Sequence, residues 1–180
     1  MVKYNHLKRG SDKLEKRCSF TGHRQIKAEH SKRLGALVEK AIEYAYGEGC
    51  RLFYSGGAIG FDTVAARAVV KFRITHPDVR LVMLLPCLNQ DAKWTAEQKD
   101  AYSFILSAAD EVEYVSEEYT DSCMRERNLL LASRADIVFA YVGHPRSGSA
   151  QTARMADSMG KTVYNLYKAI ETENTNIIKG

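Results

Sequence analysis

The sequence of 180 residues has few of the features that mark membrane, secreted or low-complexity proteins. It contains only three prolines, no internal repeat and no apolar run long enough to span a bilayer. The basic N-terminus, MVKYNHLKRGSDKLEKR, lacks the apolar core of a secretory signal. We therefore expect a cytoplasmic protein that does not associate with membranes. A chain of this length can form one domain without disulfides.

The sequence also lacks common metal and nucleophile motifs. The four cysteines, Cys18, Cys50, Cys87 and Cys123, are far apart and form no C-x-x-C pair, which favours buried reduced thiols. There is no H-x-x-x-H pair, no G-x-S-x-G elbow and no complete G-x-x-x-x-G-K-[ST] phosphate loop. We expect no bound metal.

The formal net charge of +4 is unevenly distributed along the chain. Residues 1–17 contain six basic and two acidic residues, so the remaining chain has twenty of each. A neutral body argues against nucleic-acid binding driven by overall charge. We interpret residues 1–16 as a basic arm, residues 17–168 as the folded domain and residues 169–180 as a C-terminal tail.

Short β-rich runs alternate with longer helical runs. We predict strands at residues 17–22, 51–55, 79–86, 111–116, 136–142 and 162–167. We predict helices at residues 31–49, 62–72, 95–109, 122–134 and 149–159. This alternation is typical of right-handed βαβ crossovers. The predicted fold class is therefore α/β, a doubly wound, mostly parallel sheet with helices on both faces.

A glycine-rich loop, SGGAIGFD at residues 55–62, follows a predicted strand and begins a predicted helix. Its three glycines permit positive φ and close approach to a ligand, although glycines in this position also form purely structural turns. A helix N-terminus offers free N–H groups and a positive dipole end, which suits phosphate. Asp62 would compete with an anion for those donors, so we interpret it as the N-cap of the helix.

A second loop, HPRSGSAQT at residues 144–152, also begins a predicted helix and carries hydroxyl groups beside Arg146. In a parallel sheet both loops lie at the carboxyl edge, where ligands bind near a switch in strand order. The sequence therefore predicts a phosphate or nucleotide site at this edge. Further candidate ligand contacts in neighbouring loops are Arg24, Arg125, Arg127 and Asn128.

Five segments, taken in order, resemble the SLOG superfamily and, within it, the YpsA-like branch. They are FTGHR, SGGAIGFDTVAA, LLPCLNQDAKW, YTDSCMRERN and ADIVFAYVGHPRSGSAQTARMA. The resemblance implies a Rossmann-like domain that binds nucleotide-related ligands, including NAD or ADP-ribose derivatives, and that forms a homo-oligomer. The ligand-binding residues that it implies are Gly22, Arg24, Ser55, Gly56, Gly57, Gly60, Asp62, Arg127, Asn128, Ser147, Gly148, Ser149 and Thr152.

Two related families imply alternatives to a sensor or binder. The cytokinin-activating phosphoribohydrolases share a helix similar to MRERN and carry a P-G-G-x-G-T-x-x-E loop, whose glutamate serves N-glycosidic hydrolysis. The loop here, PRSGSAQTARMAD, has no glutamate, which leaves Arg127 and Glu126 as weak catalytic candidates and leaves open whether the protein is an enzyme. The DNA-processing protein A family has a loop similar to SGGAIGFD and binds single-stranded DNA, which is the second alternative.

Overall fold

A computed structural model describes residues 15–173, and the structural statements below refer to this range. Its strands are β1 (Lys16–Gly22), β2 (Cys50–Ser55), β3 (Arg80–Leu85), β4 (Glu111–Tyr114), β5 (Ile137–Tyr141) and β6 (Thr162–Asn165). They form one sheet in the order β4-β3-β2-β1-β5-β6, and every neighbouring pair is parallel.

Helices cover both faces of the sheet. On one face lie α1 (Ser31–Gly47), α2 (Phe61–Phe72), α3 (Ala96–Ala108) and α6 (Leu166–Glu171). On the other lie α4 (Cys123–Arg134) and α5 (Gly148–Ser158). The predicted α/β fold, Rossmann-like and doubly wound, is confirmed. In the described part of the chain, no helix is long and apolar enough to cross a bilayer.

The larger core lies between the sheet and α1, α2, α3 and α6. The rings of Phe20, Phe53 and Phe139 stack across the three central strands at centroid distances of 6.2 Å. The apolar residues that predicted α1 are buried against them, as helical spacing requires: Leu34, Leu37, Val38, Ala41, Ile42 and Ala45. All four cysteines are buried and free, as predicted.

The chain after β6 differs from the prediction. The strand expected over residues 162–167 ends at Asn165, where the side-chain Oδ1 accepts a hydrogen bond from the Tyr167 N–H at 3.1 Å and begins α6. Ala169 and Ile170 of α6 are buried in the core. The expected boundary between domain and tail, at residue 168, therefore falls inside a packed helix. At the other end β1 begins at Lys16, and residues 1–14 of the expected arm lie outside the described residues.

The strand order reverses at β1, which pairs with β2 on one side and with β5 on the other. The chain from β1 to β4 builds outward in one direction, whereas β5 and β6 extend the sheet in the opposite direction. The loops that follow β1 and β5 then lead to helices on opposite faces. Such a switch leaves a crevice at the carboxyl edge of the sheet.

Candidate functional site

A cleft of about 310 Å³ lies at this switch point. The loops after β1 and β2, the helix α4 and the start of α5 form its walls. Its lining includes these residues of the predicted site: Gly22, Arg24, Asp62, Arg127, Asn128, Ser147, Gly148 and Ser149. The other lining residues are Thr21, His23, Ala58, Met124 and Leu131.

Arg127, from α4, lines the cleft although only 7% of it is exposed. Its Nη1 donates to the carbonyl of Gly56, and its Nε donates to Asn128 Oδ1 at 2.9 Å. None of the ion pairs formed among residues 15–173 involves Arg127. Burial lowers the pKa of Arg127, and the nearby Asp62 opposes this shift. The cleft therefore holds a fixed cation with no carboxylate in direct contact.

Among residues 15–173, Asp62 is the only acidic residue in the lining of the cleft, and 4% of it is exposed. Burial raises the pKa of Asp62 to about 6, although Arg127 and the Ala58 N–H act in the opposite direction. The interpretation of Asp62 as the N-cap of α2 is wrong, because Gly60 occupies that position and Asp62 lies in the first turn. Its Oδ2 instead accepts a hydrogen bond from the Ala58 N–H at 3.3 Å. The charge of the cleft therefore depends on pH.

The N-terminus of α5 closes one side of the cleft. Ser147 is its N-cap, and the Ser147 Oγ accepts from the Ala150 N–H at 3.1 Å. The N–H groups of Gly148 and Ser149 come first in the helix and have no acceptor within it. The Ser149 Oγ lies 3.1 Å from the Ser147 Oγ. Two N–H groups and two hydroxyls thus meet at the positive end of a helix dipole.

His23 lines the cleft and was not among the predicted site residues. Its Nε2 accepts from the Gly143 N–H at 2.8 Å, so the ring proton is on Nδ1, which lies 3.3 Å from the Ser149 Oγ. Burial lowers the pKa of His23, and the stacked ring of His144 adds to the shift. The position directly after Gly22, in a loop at the carboxyl edge, is the sequence signal that could have identified it.

The glycines of the first glycine-rich loop contact protein groups instead of lining the cleft. Gly57 and Gly60 have φ values of +65° and +83°, which other residues rarely adopt. A side chain at Gly60 would collide with the carbonyl group of Arg24, and one at Gly56 would collide with the guanidinium of Arg127. These glycines allow the β1 and β2 loops to pack together and place the Gly56 carbonyl against Arg127.

Two predicted hydroxyl contacts also point into the protein. The buried Ser55 Oγ accepts from the Gly57 N–H and donates to the Asp62 carbonyl, both at 3.3 Å. The buried Thr152 Oγ1 donates to the Gly148 carbonyl at 2.9 Å. Both residues stabilise the loops that carry the site and do not line the cleft.

The structure does not bring together the two catalytic candidates. Arg127 lines the cleft, whereas Glu126 is exposed and accepts a hydrogen bond from the Ser122 Oγ at 2.5 Å. Arg125 is exposed as well. Of the charged residues in MRERN, only Arg127 enters the cleft, because successive helical positions differ by about 100° around the axis.

The parallel doubly wound sheet, with a polar cleft where its strand order reverses, defines a Rossmann-like α/β protein. More particularly, the chain belongs to the YpsA family of SLOG proteins. The sequence model of this family, whose description reads "YspA SLOG family", matches residues 20–173. The resemblance drawn from the sequence is confirmed.

Relatives of similar sequence include bacterial UPF0398 proteins. The chain is 28% identical over 126 residues to the UPF0398 protein BH1768 of Halalkalibacterium halodurans, a match that covers 69% of this chain and 62% of that protein. It is 26% identical over 126 residues to a UPF0398 protein of Bacillus thuringiensis, with coverage of 69% and 64%. The chain thus spans less than two thirds of the length of the curated relatives it matches.

Solved structures of similar fold include DNA processing protein A. The Helicobacter pylori protein, described for its single-stranded DNA binding mode, has a TM-score of 0.63 at 19% identity. The match covers 92% of this chain and 79% of the Helicobacter pylori chain. The Streptococcus pneumoniae protein has a TM-score of 0.61 at 19% identity, with coverage of 83% and 50%. The protein TM1055 has a TM-score of 0.53 at 15% identity, with coverage of 90% and 88%. At these identities the likeness establishes the fold alone.

Proposed function

We propose that the cleft binds a nucleotide-derived small molecule, such as NAD or ADP-ribose, through its phosphate groups, and that the protein is a binder or sensor of it. The observation that carries the proposal is Arg127, a buried guanidinium that faces the cleft and that, among residues 15–173, is in direct contact with no carboxylate. A buried cation is costly unless an anion compensates it, and bound phosphate supplies that anion.

The start of α5 supplies the remaining phosphate contacts. The N–H groups of Gly148 and Ser149 are free of intrahelical acceptors, and both residues line the same cleft as Arg127. The Ser147 Oγ already accepts a hydrogen bond from the Ala150 N–H, so its own proton is available to a phosphate oxygen. Arg24 is exposed in the cleft lining, where it adds a second cation.

The arrangement supports binding without hydrolysis. Cleavage of an N-glycosidic bond requires a carboxyl group that faces the sugar. Glu126 is exposed outside the cleft, and Asp62 is buried with a backbone N–H on its Oδ2. We therefore expect the ligand to remain intact.

A DNA-binding function is the second candidate, favoured by the fold shared with DNA processing protein A. Single-stranded DNA requires a basic groove with a row of aromatic side chains. The cleft has a volume of about 310 Å³. Its lining residues, which lie between positions 21 and 149 of the described range, include no Phe, Tyr or Trp. This geometry suits one small ligand better than a strand.

Thermal denaturation of the full chain with NAD, ADP-ribose and AMP tests the proposal. A ligand at a hundred times its dissociation constant adds ~2.7 kcal/mol of stability, or roughly 5–10 °C in midpoint for a chain of this size. Each sample is then analysed by chromatography. A shift with intact ligand supports a binder, and a released base would establish a hydrolase. No shift with any nucleotide would contradict the proposal.

Arg24→Gln and Arg125→Gln form a matched pair for locating the ligand. Both side chains are exposed and each substitution removes one positive charge, but only Arg24 lines the cleft. Loss of a charged hydrogen bond costs ~1.5–3 kcal/mol, so Arg24→Gln should weaken binding about tenfold or more. Arg125→Gln should bind as the unmodified protein does. Equal losses in both variants would mean that the ligand lies elsewhere.

A further inference from the structure

A second, larger groove adjoins the cleft. It measures about 670 Å³, and His23 and Arg24 line both spaces. Its far walls come from the loop after β5 and from the start of α6, including His144 and Tyr167. The cleft alone is at the lower limit of small-molecule sites, roughly 300–1,000 Å³. Cleft and groove together have room for a ligand with two ring systems.

His144 presents an aromatic surface in this groove. Its ring stacks on that of His23, with centroids 4.3 Å apart and planes inclined by 11°. The Gly143 N–H and the Ser149 Oγ hold both ring nitrogens of His23, so the lower ring of the stack is fixed. His144 is exposed, and one face of its ring is covered by His23. A planar base can therefore extend the stack.

The charges of the groove indicate where a pyrophosphate would lie. Lys27 is paired with Glu171 at 2.7 Å and lies 4.8 Å above the ring of Tyr167. Arg24, by contrast, is exposed and lines the cleft, the groove and a third, smaller space of about 220 Å³, and within residues 15–173 no hydrogen bond or ion pair holds its guanidinium. The unpaired cation thus stands at the junction of cleft and groove.

We propose that the ligand is of the dinucleotide class, with its pyrophosphate against the part of the cleft lining that holds both Arg127 and Arg24, and with the second of its two ring systems stacked on His144. This inference rests on the proposed nucleotide function and narrows it, since a mononucleotide would fill only the cleft. The loop after β1 then contacts both halves of the ligand, because it contributes His23 and Arg24 to both spaces.

Calorimetric titration of the full chain with NAD and with AMP tests this inference. We expect NAD to bind at least tenfold more tightly than AMP. His144→Ala should weaken NAD binding by about tenfold, the usual effect of removing an aromatic platform under a base, and should leave AMP binding unchanged. His144→Phe should restore NAD binding, because the ring and not its charge makes the contact. Tyr119→Ala, which removes a 60% exposed ring outside both spaces, is the control.

The failures of the two proposals are distinguishable. If AMP and NAD bind equally, or if His144→Ala weakens both alike, the two-part ligand is wrong and the cleft still binds a nucleotide. If neither binds, the proposed function fails as well. Proton NMR of the unmodified protein gives a reading that does not depend on variants. NAD and not AMP should shift the His144 Cε1–H signal upfield, and an unchanged signal in the NAD complex would overturn the stacking.

Discussion

Asp62 and Arg127 lie on either side of Gly56, and a side chain at that glycine would contact both. They are the acidic and the basic group buried in the wall of the cleft. A neighbouring cation stabilises a carboxylate, yet burial is the larger effect on Asp62 and raises its pKa. The protonation of Asp62 thus changes the net positive charge of the cleft, to which Arg24 and Arg127 both contribute.

Binding of an anionic ligand should weaken as the pH rises through about 6, where Asp62 ionises. An anion in the cleft favours the protonated carboxyl, so binding takes up a proton and affinity falls by at most about tenfold per pH unit. NAD is a suitable ligand because its pyrophosphate lacks the phosphate ionisation near pH 6. Asp62→Asn should reduce the slope, and the part that remains is expected from His23, which also lines the cleft and whose pKa is lowered by burial. Affinity that stays constant from pH 5 to 8 in the unmodified protein would contradict this prediction.

For single residues, the sequence predicts which charged and hydroxyl side chains lie near the carboxyl edge of the sheet. It does not predict whether each side chain faces the cleft or the protein interior. The sequence predicted Arg24, Arg127 and Ser147 at one edge of the sheet, and all three line the cleft there. Ser55 and Thr152 carry the same hydroxyl groups, yet backbone carbonyls within hydrogen-bond distance satisfy them inside the protein. Only the tertiary arrangement decides which of these hydroxyls faces a ligand.

At the scale of elements, α6 is a helix that the spacing of apolar residues in the sequence did not predict. It has six residues, fewer than two turns, and Tyr167 near its start is of a type that is enriched in strands. The longer helices α1 and α2 were predicted within two residues because their apolar faces repeat over several turns. A short helix instead depends on its cap and on the core that it covers.

Ile170→Ala should lower the free energy of unfolding by about 2–5 kcal/mol, because the side chain is 3% exposed in the core. Ile74→Ala makes the same chemical change at a position that is 81% exposed, and should alter stability by less than about 0.5 kcal/mol. Urea denaturation of both variants measures the difference. Similar small effects would show that residues after 168 act as a tail.

For the whole molecule, the N-terminal segment differs from the rest of the chain in its net charge. The basic surplus lies within residues 1–17, and the remainder is neutral. Any affinity for single-stranded DNA should therefore depend on that segment, with a slope of about 0.7 in log affinity against log salt for each phosphate contact. The fold shared with DNA processing protein A does not itself determine which part of the chain would bind.

Two quadruple variants compare these regions at equal net charge. Replacing four of the six N-terminal basic residues by glutamine should remove most of the salt-dependent DNA binding: Lys3, Lys8, Arg9 and Lys13. Replacing four exposed basic residues of the folded part should leave most of it: Lys32, Arg33, Lys40 and Lys93. Fluorescence anisotropy with an oligonucleotide at several salt concentrations measures both. Loss only in the second variant would place DNA on the folded domain.

Because β1 lies in the centre of the sheet, its two neighbouring strands become available at different times during synthesis. Cys18 of β1 has one partner, Phe53, that is translated 35 residues after it, whereas its partner on the other side, Ile137, is translated 119 residues after it. At about 5–20 residues per second, the nascent chain spends on the order of 10 s with that edge of β1 open. The cleft is complete only when α5 has emerged from the ribosome. A ligand can therefore stabilise the finished protein, but it cannot assist the first half of the sheet to fold.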